Sequence, residues 1–221
     1  FPIDLTQPTI DGEIATLQTQ FTQNVLDETN ASGVYVEDRK LLDGLSENAI
    51  AAAESAAKAA GKDKGYLIAL VNTSGQPANA SLKDRDLRAK LQKAAEQRCA
   101  VGGPYDNREI VLRLAKLRAE RAQLLGYADF ASYVLEDETA KTTTAVNKMM
   151  AELAPAAVAN AKKEAAEIQK QIDAAKGGFQ VAASDWSFYS EKVRAEKFAF
   201  DEAQLRPYFE VDSVLENGVF F

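Results

Sequence analysis

The chain has 221 residues, of which 46% are apolar and 27% charged, an ordinary balance for a globular protein. Its net charge of −7 argues against a nucleic-acid partner, because an acidic surface repels phosphate groups. No apolar run approaches the roughly 18 residues that a membrane helix needs. The opening FPID carries neither a signal peptide nor an initiator Met, so we expect the N-terminus to be cut.

The chain contains no histidine and one cysteine, Cys99. Without imidazole, this chain can hold no Ser-His-Asp or Cys-His nucleophile pair and no His-ligated metal. A single cysteine excludes an internal disulfide. Because histidine is the commonest general base, a catalytic site made from this chain alone would have to use carboxylates, lysine or tyrosine.

Apolar spacing and capping signals predict a mostly helical chain. The predicted helices are 11–30, 46–61, 81–99, 106–126, 127–137, 143–176, 183–198 and 201–206. Their N-terminal signals are Ser46, Ser81 with Asp84, Asp106 with Glu109, Thr143 or Thr144, and Ser184 or Asp185. Pro155 should kink the long sixth helix or mark a join. Ser213 and Glu216 have capping-box spacing and predict a last helix that begins at Ser213 and continues beyond Phe221.

Short β-branched segments predict a small amount of sheet. Residues 65–70, GYLIAL, favour a strand, and the turn cluster 72–77 is followed by 78–82 as a return strand. Residues 34–36 favour another short strand. The predicted fold class is therefore mainly α, a multi-helix lobe with a small antiparallel β-hairpin. The predicted domain organisation is one mostly helical unit over 1–221.

Two arginines interrupt the apolar face of the predicted helix at 107–126. Arg118 and Arg121 project into the same sector as its leucines and isoleucine. A buried guanidinium costs several kcal/mol unless it is paired. One interpretation is an arginine pair that grips a substrate carboxylate. The other is structural: a partner carboxylate on a neighbouring helix, or side chains whose stems reach out to water.

Two other clusters have both a functional and a structural interpretation. The acids of LEDE, 135–138, cannot form a two-carboxylate catalytic pair among themselves, because adjacent helical residues do not face one another; a solvated face is favoured. An aromatic-rich region is either a hydrophobic specificity pocket or a core or inter-domain surface, and packing is the commoner use. Its members are Trp186, Phe188, Tyr189, Phe198, Phe200, Tyr208 and Phe209.

Three long stretches resemble a known family. Residues 107–142, NREIVLRLAKLRAERAQLLGYADFASYVLEDETAKT, and 13–31 are similar to the thimet-oligopeptidase-like zinc metallopeptidases. Residues 177–220 are similar to their peptidyl-dipeptidase (dipeptidyl carboxypeptidase) branch. The resemblance implies a two-lobed, mostly helical peptidase with a deep cleft, which releases dipeptides from the C-termini of peptides.

The same resemblance implies a zinc ion held by an H-E-x-x-H helix and a further Glu. Two histidines at i and i+4 share a helix face and leave one position open for water. This chain departs from that pattern because it has no histidine, so we assign it no catalytic residue and no metal ligand. Any of Arg118, Arg121, Trp186 or Tyr189 is a candidate for the cleft wall of a complete enzyme.

We therefore expect the helical, non-catalytic portion of a zinc peptidyl-dipeptidase, inactive by itself. The expected cofactor is none in this chain and zinc in the complete enzyme, and the expected partners are oligopeptide substrates, with no nucleic acid and no membrane. A homo-oligomer through an exposed former interface is also expected. The alternatives are a self-contained helical peptide-binding or scaffold protein and a separately encoded subunit. The expected compartment is the cytoplasm, with the periplasm as the alternative.

Overall fold

The computed structural model describes residues 6–71, 73, 75–199, 205 and 208–219. In chain order the elements are α1 (Thr6–Ala31), β1 (Val34–Val36), α2 (Glu47–Ala59), β2 (Tyr66–Ile68), α3 (Arg85–Glu96), α4 (Arg108–Leu124), α5 (Phe130–Leu135), α6 (Thr143–Ala174), α7 (Ala183–Phe198) and α8 (Val211–Val214). Short 3-10 turns lie at Arg39–Leu42 and Pro77–Ala80, and a π-helical turn follows α8 at Leu215–Val219. The mainly helical fold class is confirmed. None of the described helices is long and apolar enough to cross a membrane.

The small antiparallel sheet is confirmed, but its partner strands differ from the predicted hairpin. β1 pairs with β2, with Val34 opposite Ile68, so α2 lies between the two strands in sequence. Residues 78–82 form no return strand. Instead, the Gln76 amide accepts from Val71 N and donates to Thr73 O, closing a turn that leads into the 3-10 turn at Pro77. Proline suits the first position of such a turn because it has no N–H to leave unpaired.

Side-chain caps explain where several helices begin. Ser46 accepts from Ala49 N at α2, as predicted, and Asp84 accepts from Leu87 N at α3. Asp129 and Thr142 cap α5 and α6 in the same way. Each of these side-chain oxygens satisfies an N–H group that has no partner inside the helix.

Four of the predicted N-terminal signals are displaced. Ser81 precedes α3 by several residues, because Asp84 is the cap. Asp106 lies one residue before the N-cap of α4 and binds Arg108 N instead. Ser184 and Asp185 lie inside the first turn of α7. Ser213 lies inside α8, where the Glu210 carboxylate accepts from its N–H group. The helix predicted at 201–206 falls outside the described residues except at Leu205.

Helix α6 runs without a break through Pro155 over 32 residues, so the residue is not a join between two helices. The predicted end is confirmed: α6 finishes at Ala174, before Gly177 and Gly178. Gly177 N then donates to Ile172 O, which closes the last turn.

Buried apolar side chains of the described residues form three groups. The first joins the sheet, α2 and α3 and contains Val36, Leu42, Ile50, Ile68, Leu70, Leu82, Leu87 and Leu91. The second joins α1 and α4 through Ile14, Ile110, Leu114 and Leu117. The third joins α6 and α7 through Ile168, Ile172 and Tyr189. The single unit over 1–221 stays a prediction.

One glycine is required where the first group closes. Gly44 has φ +99°, and a Cβ built there would lie 2.0 Å from the carbonyl oxygen of Ser81. Beside it, Lys83 N donates to Asp43 O, so the two backbones run in contact. Gly61 also has positive φ, +73°, but open space lies around it. Substitutions at Gly44 and Gly61 can therefore be compared to separate the cost of backbone strain, which both share, from the cost of a steric clash, which arises only at Gly44.

We expect Gly44→Ala to lower the free energy of unfolding by about 1–3 kcal/mol more than Gly61→Ala. Both variants force an L side chain into the left-handed region, and only the first also overpacks a closed contact. Urea unfolding followed by circular dichroism measures the difference. Equal losses in the two variants would show that the Ser81 contact relaxes without cost.

Candidate functional site

The two predicted arginines both lie on α4 and contact different partners. Arg121 Nε lies 3.1 Å from Asp11 Oδ1 on α1, and its guanidinium lies over the ring of Tyr133. Arg118 instead lies over the ring of Phe130, 5.4 Å from its centroid. The structural interpretation thus holds for Arg121, which has its partner carboxylate on a neighbouring helix.

Arg118 also lines a groove of about 560 Å³ between α1 and α4. The other lining residues are Gln18, Phe21, Thr22, Val111, Leu114 and Ala115. Its described lining is mainly apolar and includes one cation, Arg118, so the groove is suited to an apolar group that carries a negative charge. Among the described residues that line it there is no carboxylate, thiol or phenol, so none of them is a base that could activate the Thr22 hydroxyl.

A buried ion-pair cluster that the sequence pattern does not predict joins α3 to α7. Asp185 and Arg88 are almost fully buried, with side-chain exposures of 0% and 1%. Arg88 Nη2 donates to Asp185 Oδ1 at 2.9 Å, and Arg85 donates to both carboxylate oxygens at 2.9–3.2 Å. The carboxylate also accepts from Ala182 N, at the start of α7. Two guanidiniums therefore share one carboxylate.

The cluster is closed by backbone acceptors and aromatic rings. Arg88 donates further to the carbonyls of Leu82, Lys83 and Ser184. The guanidinium of Arg85 lies 3.8 Å from the ring centroid of Phe179, and that of Arg88 lies 4.4 Å from the centroid of Phe188. Every oxygen and nitrogen of the pair thus has a partner, which is the condition under which a buried ion pair is tolerated.

The electrostatics of Asp185 follow from this geometry. Burial is the largest single influence and raises its pKa, because a desolvated carboxylate resists ionisation. The hydrogen bonds from Arg85, Arg88 and Ala182 N outweigh burial and hold the pKa of Asp185 below its ordinary value. The carboxylate is therefore ionised and fully engaged, which suits a structural ion pair and not a general base.

The predicted aromatic region divides into two parts. Tyr189 is buried, and Trp186 and Phe188 pack around it against α6. Phe188 and Tyr189 meet edge to face, with centroids 5.1 Å apart. The second part is exposed: Phe198, Tyr208 and Phe209 show 71%, 78% and 65% of their surface. Phe200 lies outside the described residues. The first part is core, and the described residues of the second part are exposed.

The acids of LEDE lie on the surface, as expected. Residues 136–138 are exposed, and the Glu136 carboxylate accepts from the Tyr127 hydroxyl. That hydrogen bond is the main cause that raises the pKa of Tyr127 above its ordinary value. Cys99 is buried, and burial together with the nearby Glu28 carboxylate raises the pKa of its thiol to about 12. A thiol protonated at neutral pH is a poor nucleophile.

These residues do not fit a zinc centre. The chain has no imidazole, and the described residues contain no group of three or more Cys, Asp or Glu side chains placed to hold a metal ion. Protein zinc sites need three or four such ligands around one point. We therefore derive no catalytic step through zinc from the residues of this chain.

Similarity to known proteins supports the family that the sequence resembles. The family model for peptidase family M3 matches residues 78–221, about two thirds of the chain. The chain belongs to peptidase family M3. Dipeptidyl carboxypeptidase of Escherichia coli (strain K12) is 44% identical over 212 residues, which cover 96% of this chain and 31% of that protein.

Other M3 relatives are less similar over the same span. Oligopeptidase A of Escherichia coli (strain K12) is 33% identical over 217 residues, 95% of this chain and 32% of that protein. Organellar oligopeptidase A of Arabidopsis thaliana is 30% identical over 217 residues, 94% of this chain and 27% of that protein. The M3 chain thus spans about a third of the length of these relatives.

The two arginines that hold Asp185 should differ in their effect on stability. We expect Arg88→Met to lower the free energy of unfolding by about 3–5 kcal/mol. The substitution removes one of the two guanidiniums that neutralise the buried Asp185 carboxylate, and it leaves three carbonyls without their donor. Arg85→Met should cost clearly less, since 40% of the Arg85 side chain is exposed and water can replace it. Urea unfolding of both variants measures the order, and a larger loss for Arg85→Met would contradict it.

The pH dependence of stability should carry the signature of Asp185. Its folded pKa is lower than its unfolded pKa, which is about 3.9. The ion pair therefore stabilises the fold above that pH, and its contribution disappears as the pH falls through the folded pKa. Between about pH 6 and about pH 3, wild type should lose more unfolding free energy than Asp185→Asn. Parallel curves in urea titrations at both pH values would count against this.

Proposed function

We propose that this chain is a helical, non-catalytic portion of a zinc-dependent peptidyl-dipeptidase that releases dipeptides from the C-termini of short peptides. The observation that carries the proposal is the 44% identity to a dipeptidyl carboxypeptidase over 96% of the chain, against 33% for an oligopeptidase A over a nearly identical span. A difference of this size over more than 200 residues favours the exopeptidase branch of the family.

The chemistry of the described residues supports the non-catalytic part of this proposal. The most buried charged group, Asp185, is fully committed to Arg85 and Arg88. The thiol of Cys99 is buried with a raised pKa, and the groove beside Arg118 offers no nucleophile or base. In the complete enzyme, the zinc ion would polarise the scissile carbonyl and activate water, with ligands from outside these residues.

What the chain would contribute is a framework. Its helices would form much of one lobe and restrict the cleft to short peptides. The Arg118 groove is a place where an apolar residue with a free carboxylate could rest, and Arg118 has no ion pair within the described residues to compete for it. We propose the cytoplasm as the compartment.

The decisive experiment compares the 221-residue chain with the polypeptide encoded by its whole reading frame. Each is incubated with an unblocked peptide, with and without added zinc, and products are identified by mass spectrometry. We expect no hydrolysis by the chain alone. We expect the longer polypeptide to release C-terminal dipeptides and to lose that activity to a chelator.

Three results would overturn the proposal. Chelator-sensitive turnover by the chain alone would show that it is catalytic. Internal cleavage by the longer polypeptide, without dipeptide release, would place it with the oligopeptidases. A reading frame without an H-E-x-x-H segment, with tight peptide binding by the chain, would favour the peptide-binding module instead.

A further inference from the structure

Helix α6 is covered by the described residues over only part of its length. It has 32 residues and is about 48 Å long, whereas its partner α7 has 16 residues and is about 24 Å long. The side chains of α6 from 147 to 164 are all exposed, and burial begins only near Ile168. About half of α6 therefore lies beyond the end of α7.

The uncovered half carries an apolar row that continues the packed half. We call it the α6 apolar row; its members are Val146, Met150, Leu153, Ala157, Ala161 and Ala165. Steps of three and four residues bring this row directly into Ile168 and Ile172, which are buried against α7. Phe198, the last residue of α7, lines a groove with Glu164 and Ile168, so α7 ends where the row becomes exposed.

The large side chains of this half are unusually open to water. Met150 and Leu153 show 51% and 58% of their surface, and Val158 at the edge of the row shows 52%. Contiguous apolar surface of this kind marks an interface, because its exposure to water is unfavourable. The alanines of the row allow a second helix to approach closely, with its own large side chains set between them.

We propose that the α6 apolar row is the docking surface for an amphipathic helix from the rest of the same polypeptide, outside these 221 residues. This inference rests on the proposed function. The chain spans 31% of the length of the dipeptidyl carboxypeptidase that it resembles, so a parent of that length holds more than enough chain to supply the helix. A tethered helix is present at an effective concentration of roughly millimolar, which a second copy of the chain does not reach.

The test measures thiol labelling of two neighbouring alanines. Ala157→Cys lies in the row, and Ala159→Cys, two residues away, lies on the opposite face; both positions are exposed in the described structure. Each variant is made in the 221-residue chain and in the polypeptide from the whole reading frame, and the labelled peptide is quantified by mass spectrometry. Cys99 is a slow background site, because its thiol is buried and its pKa is raised to about 12.

We expect the two sites to react at similar rates in the chain alone. In the longer polypeptide, the thiol at 157 should react roughly tenfold more slowly than the thiol at 159, or slower still, because labelling then requires local opening. Equal rates in the longer polypeptide would overturn the proposal, as would a reading frame that adds no further chain. Protection at 157 in the chain alone that rises with concentration would make a second copy the occupant.

The same sample of the longer polypeptide is assayed for dipeptide release, which separates the two proposals. Protection of the thiol at 157 without hydrolysis would support the docking surface and contradict the proposed function. Hydrolysis without protection would preserve the function and sink the docking surface.

Discussion

The ionised carboxylate of Asp185, buried between two arginines, is the constraint on which the arrangement of the helices depends. A desolvated charge is tolerated only where partners surround it, and here the partners come from α3, 97 and 100 residues earlier in the chain. The pair therefore fixes α7 against α3. Since α7 also packs against α6 through Ile168, Ile172 and Tyr189, the ion pair and this apolar group together hold α3, α7 and α6 in contact.

The buried apolar side chains of the described residues do not form one continuous core. Three separate buried groups hold the sheet with α2 and α3, α1 with α4, and α6 with α7. A chain of this length that formed one compact domain would hide roughly 70% of its unfolded surface. Here large apolar residues such as Met150 and Phe209 remain open. These open apolar residues agree with the proposal that further contacts come from a longer polypeptide, since the chain spans 31% of the length of the dipeptidyl carboxypeptidase that it resembles.

Signals within a few residues predict the helix boundaries well. They do not predict strand pairs or ion pairs between residues that are distant in the sequence. The caps at Ser46 and Asp84 and the long helix from Thr143 follow from residues within one turn. The partner of β2 cannot be predicted from residues within one turn, because Val34–Val36 lies some 30 residues upstream. A nearer segment, 78–82, is the local alternative, but the Gln76 side chain closes a turn just before it. The sequence predicts Asp185 only as a helix cap. It does accept from Ala182 N, and the same carboxylate also holds two distant guanidiniums, which no local pattern reports.

The arginines show why the candidate site is harder to predict from the sequence than the helices are. Arg118 and Arg121 interrupt an apolar helix face. Arg88 follows Leu87 and precedes Leu91 by three residues, so it carries the same signal on α3. Residue spacing cannot distinguish these arginines. It shows which helix face a side chain occupies, but not whether a neighbouring element places a carboxylate against that face. Asp185 makes Arg88 structural, and Asp11 does so for Arg121. Arg118 lines a groove, lies over the ring of Phe130 and has no ion pair within the described part of the chain, which is why the proposed ligand contact involves this arginine.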